Sequence, residues 1–235
     1  KEDIQYHSYE EIPLEGLITD RKQEISSMTT YKDNLILLPE NRNGYYFYIP
    51  FSEITNTLNT GDTIIPVQKT FTTGLDGFEA IAFEGDNVYI MVEIRIDDKM
   101  AGLLIWGTIH PLSMEIDIPK ENVMLFEPPT QIDNFSFESL TIVDNELVIL
   151  FEVNGWRTVK NSSQYIVDLD DMSVNKIPFP HIDFRLTDAT SVIDNKFWAI
   201  NYYWTGDKEV LGVKDTLGIE RLVEYELGYS GIKRA

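Results

Sequence analysis

The stretch that decides the fold is FESLTIVDNELVILFE, residues 137–152, in which two runs of β-branched and aromatic residues flank the dipeptide Asp144-Asn145. Asp and Asn tolerate positive φ and bond to their own nearby backbone, so such a pair between two strand-like runs predicts a hairpin turn. Three other segments share the pattern: SSMTTYKDNLILLPE (26–40), FEAIAFEGDNVYIMVE (78–93) and TDATSVIDNKFWAIN (187–201). The sequence therefore predicts four β-hairpins.

The hairpins recur at a regular spacing. Successive Asp-Asn pairs are 53, 58 and 50 residues apart, which matches a four-stranded propeller blade better than a helical solenoid. Third and fourth strands follow in two units, GLLIWGTI with MEIDIP and QYIVDLD with VNKIPFP, whereas the last unit offers only RLVEYEL (221–227). We predict an all-β propeller that occupies residues 1–235 as one domain and in which YEEIPL (9–14) could complete the last blade.

Composition narrows the classes of partner. The chain has 39 Asp and Glu against 19 Lys and Arg, a formal net charge of −20, so nucleic acid and anionic membranes would be repelled and cations favoured. Cysteine is absent, which excludes disulfides, thiolate metal sites and a cysteine nucleophile. The apolar runs are far shorter than the roughly 20 residues of a membrane helix. Because the chain begins at Lys1, we expect any signal peptide to have been removed.

Acidic residues recur at the open ends of the hairpins. Counting from each turn places Glu79 opposite Glu93 and Glu138 opposite Glu152, with Ser26 or Ser27 and Glu40 at the same positions of the first hairpin. The same count pairs Asp188 with Asn201. First strands line a propeller's channel, so these oxygen-bearing side chains are expected to meet at one rim.

Crowded carboxylates are relieved by a bound hard cation or by protonation. Calcium takes six to eight oxygen ligands, carboxylate and amide mixed, and we predict a calcium site made of four residues: Glu79, Glu138, Asp188 and Asn201. A structural alternative remains open, in which each acid ends a strand and binds backbone amides or solvent.

Candidates for chemistry and ligand binding are fewer. Glu93 or Glu152 could activate water, and His181 is the best placed histidine. Arg185 could meet an anionic group, although pairing with an acid is the simpler role. Of the aromatic residues, Trp198 is expected in the core, while three others could wall a ligand at the rim: Tyr202, Tyr203 and Trp204.

At these residues the chain resembles a group of bacterial propellers, the esterase-like phytases and SdiA-regulated relatives. The segments that carry the resemblance span about two thirds of the chain in order: GFEAIAFEGDNVYIMVE, FSFESLTIVDNELVILFEVNG, RLTDATSVIDNKFWAINYYWTGD and GIERLVEYEL. The resemblance implies a six-bladed propeller of which four blades are present here, a periplasmic or secreted location, and acids at the channel mouth on Glu79, Glu138 and Asp188.

Two functions follow as hypotheses. The first is a calcium-binding hydrolase that acts on a small ester or phosphate ester, as the family's name suggests. The second is a non-catalytic propeller that holds a small ligand or a protein loop at the rim, with calcium as a structural ion. The sequence does not separate them, and it leaves the oligomeric state open.

Overall fold

A computed structural model describes residues 9–40, 44–71, 75–214, 216–228 and 230–235. Its sheets are four antiparallel blades that follow one another along the chain. Blade 1 has two 3-10 turns before it and one helix within it: Leu17–Thr19, Arg21–Gln23, β1 (Ile25–Tyr31), β2 (Asn34–Pro39), β3 (Tyr45–Pro50), α1 (Phe51–Thr60) and β4 (Val67–Thr70). Blade 2 has five strands, of which β9 pairs with β7: β5 (Phe78–Glu84), β6 (Asn87–Ile96), β7 (Lys99–Ile109), β8 (Ile116–Asp117) and β9 (Val123–Phe126).

Blades 3 and 4 have four strands each. Blade 3 consists of β10 (Phe137–Val143), β11 (Glu146–Phe151), β12 (Ser163–Asp168) and β13 (Val174–Pro178). Blade 4 consists of β14 (Arg185–Ala189), β15 (Lys196–Tyr203), the 3-10 turn Thr205–Asp207, α2 (Lys208–Leu211), β16 (Ile219–Gly228) and β17 (Gly231–Arg234). The propeller of four-stranded blades predicted from the repeats is confirmed.

The turns explain why the hairpins could be recognised. In blades 3 and 4 the turn residues are the predicted pairs, Asp144-Asn145 and Asp194-Asn195, and all have positive φ. In blades 1 and 2 the turn lies one residue earlier, at Lys32-Asp33 and at Gly85-Asp86. The Asp-Asn pairs therefore mark each turn but are not strictly equivalent positions.

The last blade is completed differently from the expectation. Its fourth strand is β17, which pairs with β16, so the prediction that residues 9–14 complete this blade is wrong. Leu14 instead makes a parallel bridge with Ile64 beside blade 1. The segment RLVEYEL does form the third strand.

Apolar side chains pack between successive blades. One cluster joins blades 1 and 2 around Tyr46 and Phe78, another joins blades 2 and 3 around Phe137, and a third joins blades 3 and 4 around Phe197. The outer face of blade 1 packs against the N-terminal segment and α1, which starts after Pro50 and ends where Gly61 has φ 75°. No helix in the described ranges is long and apolar enough to cross a membrane.

The four first strands surround one axis. β1 contacts β5, β5 contacts β10, β10 contacts β14, and β14 contacts β1. The expectation of two further blades rests on the family resemblance alone and stays a prediction. The axis is where the acidic side chains of the repeats come together.

Candidate functional site

Each first strand contains a β-bulge close to its start. The register shifts between Ile25 and Ser27 in blade 1, and at the corresponding place in the other blades, so one residue per blade has no cross-strand partner: Ser26, Glu79, Glu138 and Thr187. A bulge re-aims a side chain and bends the strand. All four bulge residues line a single cavity of about 330 Å³, which places that cavity on the axis.

The bulges change the predicted pairing of the acids. Glu93 lies opposite Gly77, to whose carbonyl its backbone N–H donates, and Glu152 lies opposite Ser136 in the same way. The predicted cross-strand pairs of Glu79 with Glu93 and of Glu138 with Glu152 are therefore wrong, because counting from the turn cannot reveal an extra residue in one strand. The acids of each pair nevertheless belong to one acidic region around the axis.

The predicted alignment of the fourth repeat is wrong by one residue. Leu186, not Asp188, is the partner of Asn201, and Asp188 pairs with Ile200. Thr187 is thus the equivalent of Glu79 and Glu138, because the segment between bulge and turn is one residue longer in blade 4 than in the other blades. The predicted pairing of Asp188 with Asn201 is wrong.

Asp188 joins blade 4 to blade 1. Its Oδ2 accepts a hydrogen bond of 3.0 Å from the backbone N–H of Met28, and its Oδ1 accepts from the Ser27 hydroxyl at 3.4 Å and from the backbone N–H of Ala189 at 2.9 Å. Burial raises its pKa to about 6 in spite of these bonds. Asp188 also lines the axial cavity.

Asn201 is not among the residues that line the axial cavity. Its amide donates to the carbonyl of Arg185 at 3.1 Å, its Oδ1 accepts from Nε of Arg221 at 2.8 Å, and it is fully buried. The structure therefore gathers Glu79, Glu138 and Asp188 around the cavity, while the oxygen of Asn201 is already engaged by a guanidinium.

Glu79 is the least compensated acid of the cavity. Its residue is 8% exposed, and among the residues that the structure describes its carboxylate has no hydrogen-bond or ion-pair partner. Burial raises its pKa well above the ordinary value, and three neighbouring carboxylates add to the effect: Glu138, Glu40 and Glu93. A buried carboxylate without a partner is costly unless it gains a proton or a cation.

Glu138, by contrast, belongs to an ion-pair network with Arg185. The guanidinium donates to Glu138 at 2.6 Å through Nη2 and to Glu152 at 2.5 Å through Nε, and Nη1 lies 3.6 Å from Asp207. Glu152 also accepts a 2.7 Å hydrogen bond from the backbone N–H of Ser136. Burial raises the pKa of both glutamates, and Arg185 lowers it in part. Arg185 is therefore an internal cation between blades 3 and 4.

A second cavity, of about 560 Å³, lies beside the first, and Glu40 lines both. Its acids include Asp76 and Glu93, and Arg95 is also on its wall. Burial raises the pKa of Glu93 to about 7, with Glu138 and Glu40 adding to the shift. Glu93 is thus placed to change its protonation near neutral pH.

The remaining predicted residues are spread over several environments. The His181 ring stacks on the exposed Trp156 at 3.6 Å, and its Nδ1 donates to the carbonyl of Asn154 at 2.9 Å. Tyr203 is fully buried against Phe184, so it cannot wall a ligand.

Three other aromatic residues, in β15 or directly after it, differ in their exposure and contacts. Tyr202 lies 6.0 Å from the Arg185 guanidinium, and Trp204 is exposed. Trp198 is 45% exposed, so its expected place in the core is wrong.

Some functional neighbours were missed by sequence reasoning. Asp207 lies in the turn between β15 and α2, and no repeat or motif pointed to it as a partner of Arg185. Thr187 could have been found only from the extra residue between β14 and the turn of blade 4. Glu40 did stand at the recurring acidic position, and the structure places it between the two cavities.

The donor chemistry of the cavity suits a hard cation, since its charged lining residues are carboxylates. Within the described ranges, no three His, Cys, Asp or Glu side chains are already arranged around one ion position.

No family model matches this chain, and no curated protein does. Among solved structures it is similar to a Synechocystis apocarotenoid oxygenase variant, with 10% identity over 89% of this chain and 47% of that chain and a TM-score of 0.48. It is also similar to a chain of the mitotic checkpoint complex, with 8% identity over 92% of this chain and 65% of that chain and a TM-score of 0.40. Apo AztD from Citrobacter koseri is also similar, with 8% identity over 88% of this chain and 70% of that chain and a TM-score of 0.37. This chain spans about half the length of the oxygenases. The likeness concerns the fold alone.

Proposed function

We propose that this protein binds a cationic ligand in its axial cavity, and that calcium is the first ion to test. The observation that carries the proposal is Glu79, whose residue is 8% exposed, which lines the cavity and whose carboxylate has no hydrogen-bond or ion-pair partner in the described part of the chain. Glu40, Glu138 and Asp188 line the same cavity. The Arg185 guanidinium beside Glu138 is already shared by three carboxylates, and Arg95, on the wall of the second cavity, is paired with Asp133.

Calcium suits this set because it binds carboxylate oxygens in flexible geometry and accepts water as a ligand. Glu79 and Glu138 would be its protein ligands, with Asp188 close by. Asn201 is left out of the proposal because its oxygen is bound to Arg221. In this function the ion neutralises the acids and stiffens the junction of the blades, which matches the non-catalytic alternative.

Thermal unfolding tests the proposal. A ligand that binds only the folded state stabilises it by RT ln(1 + [L]/Kd), so the midpoint should rise when EDTA is replaced by millimolar calcium, and less with magnesium. Glu79→Gln should abolish this rise while it raises the midpoint in EDTA, because it removes an unpaired buried charge. Glu84→Gln, an exposed acid on the same strand, is the matched control and should behave as wild type. A calcium response that survives Glu79→Gln would reject the site.

Ester hydrolysis is a second candidate, favoured by one observation. Glu93 lines the second cavity, and burial raises its pKa to about 7, the range in which a carboxylate can act as a general base or acid at neutral pH. Glu152 is a poorer candidate because it is fully buried and both of its oxygens are engaged. Hydrolysis of p-nitrophenyl acetate or phosphate that is lost in Glu93→Gln but kept in Glu84→Gln would support an enzyme. A secreted or periplasmic location belongs to the same proposal.

A further inference from the structure

The junction of blades 3 and 4 contains an ion pair whose acidic residues have equivalents at the junction of blades 2 and 3. At the junction of blades 3 and 4, the Arg185 guanidinium lies between the bulge residue of blade 3, Glu138, and the residue that follows its second strand, Glu152. Two carboxylates on one guanidinium form strong, directional hydrogen bonds. This junction therefore shows which cation fits a pair of acids at these two repeat positions.

Blade 2 has the same two acids, but the next blade has no basic residue at the position of Arg185, and the guanidinium of Arg95 is already paired with Asp133. Glu79 is its bulge residue, and Glu93, within β6, lies opposite Gly77 as Glu152 lies opposite Ser136 in blade 3. In blade 4, Arg185 is the residue just before β14's first apolar residue and lies opposite Tyr202. In blade 3, the residue at the same place is Ser136, which lies opposite Glu152. Ser136 is therefore the equivalent of Arg185. Serine carries no charge. The acidic half of the ion-pair network is thus repeated at the junction of blades 2 and 3 without its basic half.

Two observations indicate that this place is open to a ligand. The carboxylates of Glu79 and Glu93 both lack a hydrogen-bond or ion-pair partner among the described residues, and Glu79 is nine-tenths buried while it lines the cavity. The hydroxyl of Ser136, at the position from which a cation would come, is buried and has no hydrogen-bond partner there either.

We propose that Glu79 and Glu93 bind the guanidinium group of a ligand, in the place that Arg185 occupies at the next junction. The inference rests on the proposed cation-binding function and names the class of cation. Ile25, Met28 and Ile200 form an apolar part of the cavity wall that suits an alkyl chain. Glu40 lines both this cavity of about 330 Å³ and the second one of about 560 Å³, and each has room for more than a bare ion. The ligand is therefore an alkylguanidine, free or as an arginine side chain.

The test compares matched probes on the purified chain. N-acetyl-L-arginine amide and butylguanidine represent a peptide side chain and a free guanidine, N-acetyl-L-citrulline amide is the uncharged isostere, and calcium and magnesium are the metal arms. We expect the guanidines to raise the unfolding midpoint and the citrulline compound to have no effect. Loss of one charged hydrogen-bond acceptor should weaken guanidine binding by roughly 10- to 100-fold in Glu79→Gln and Glu93→Gln, and not in Glu84→Gln.

The outcomes separate the inference from the proposed function. A calcium response that depends on Glu79, with none to either guanidine, would overturn the inference and leave cation binding intact. Equal responses to the arginine and citrulline compounds would also overturn it, because charge would then play no part. No response to any cation would refute both. A response to butylguanidine alone would assign the site to free guanidines, and one to both probes would extend it to arginine side chains.

Discussion

Arg185→Met is the perturbation that examines the ion-pair network most directly. The substitution keeps a long side chain that can still pack on Phe135, 5.0 Å from the guanidinium, but removes the charge. It leaves Glu138, Glu152 and Asp207 around one place without their cation, and Glu152 has no exposed side-chain surface at all.

The magnitude follows from the two short contacts, 2.6 Å and 2.5 Å, that would be lost. Removal of one partner of a buried ion pair costs about 3–5 kcal/mol, because the other charge stays buried. For a chain of this size each kcal/mol shifts the unfolding midpoint by roughly 2–4 °C, so we expect a fall of about 6–20 °C at pH 8. The pKa of both glutamates, already raised by burial, should rise further without Arg185. Their protonation should make the loss smaller at pH 5.

Urea unfolding monitored by circular dichroism at the two pH values measures this directly. Arg95→Met is the control, since the Arg95 side chain is half exposed and its partner, Asp133, is more exposed still; we expect a change below about 1 kcal/mol. Adding Glu152→Gln to Arg185→Met should recover part of the loss. A loss of less than about 1 kcal/mol in Arg185→Met, or one that is the same at pH 5 and pH 8, would refute the reasoning.

Three further expectations concern single positions. Burial raises the pKa of Glu93 to about 7 in the folded chain, so the stability that its proton contributes is complete below the unfolded pKa of about 4.5 and is lost as the pH rises through 7. In EDTA, the free energy of unfolding should therefore fall by roughly 1–2 kcal/mol across this pH range, after allowance for solvent screening, and this fall should be smaller in Glu93→Gln. Asp188→Ala removes the hydrogen bonds from blade 4 to blade 1 and should increase amide hydrogen exchange in β1 and β14 more than in β10. An equal increase in all three strands would show that these bonds do not stabilise this junction locally. Gly107→Ala should destabilise by about 1–3 kcal/mol in thermal unfolding, because a Cβ there would lie 1.9 Å from the carbonyl oxygen of Asp117; an unchanged midpoint would show that the strands can separate freely.

The sequence contained the fold because the same local signals recur in every blade. Turn residues with positive φ, such as Asp144 and Asn145, lie between apolar runs whose alternation marks the strands. The fourth strand of the last blade escaped notice because GIKR has only one buried apolar residue, Ile232, and is held by pairing to β16. The helix α1 was also not foreseen, since it occupies an insertion that has no counterpart in the other repeats.

The candidate site was predictable in its chemistry but not in its detail. Recurring acids at hairpin ends pointed to Glu79 and Glu138, which the structure places around one cavity. The bulges were invisible to a count from the turn, and an extra residue between bulge and turn in blade 4 moved the fourth repeat position from Asp188 to Thr187. Whether an acid has a positively charged partner depends on the next blade, as Arg185 of blade 4 shows for Glu138 and Glu152. The sequence pattern of a single repeat does not predict such contacts between blades.

The central claim is that the axial cavity binds a cation through Glu79. Isothermal titration calorimetry tests it most directly, with calcium and with N-acetyl-L-arginine amide titrated into wild type, Glu79→Gln and Glu84→Gln at pH 7.5. The account predicts saturable binding of at least one of these cations to wild type and Glu84→Gln, with binding at least about tenfold weaker in Glu79→Gln. Unchanged affinity in Glu79→Gln, or no heat with either cation in wild type, would contradict it.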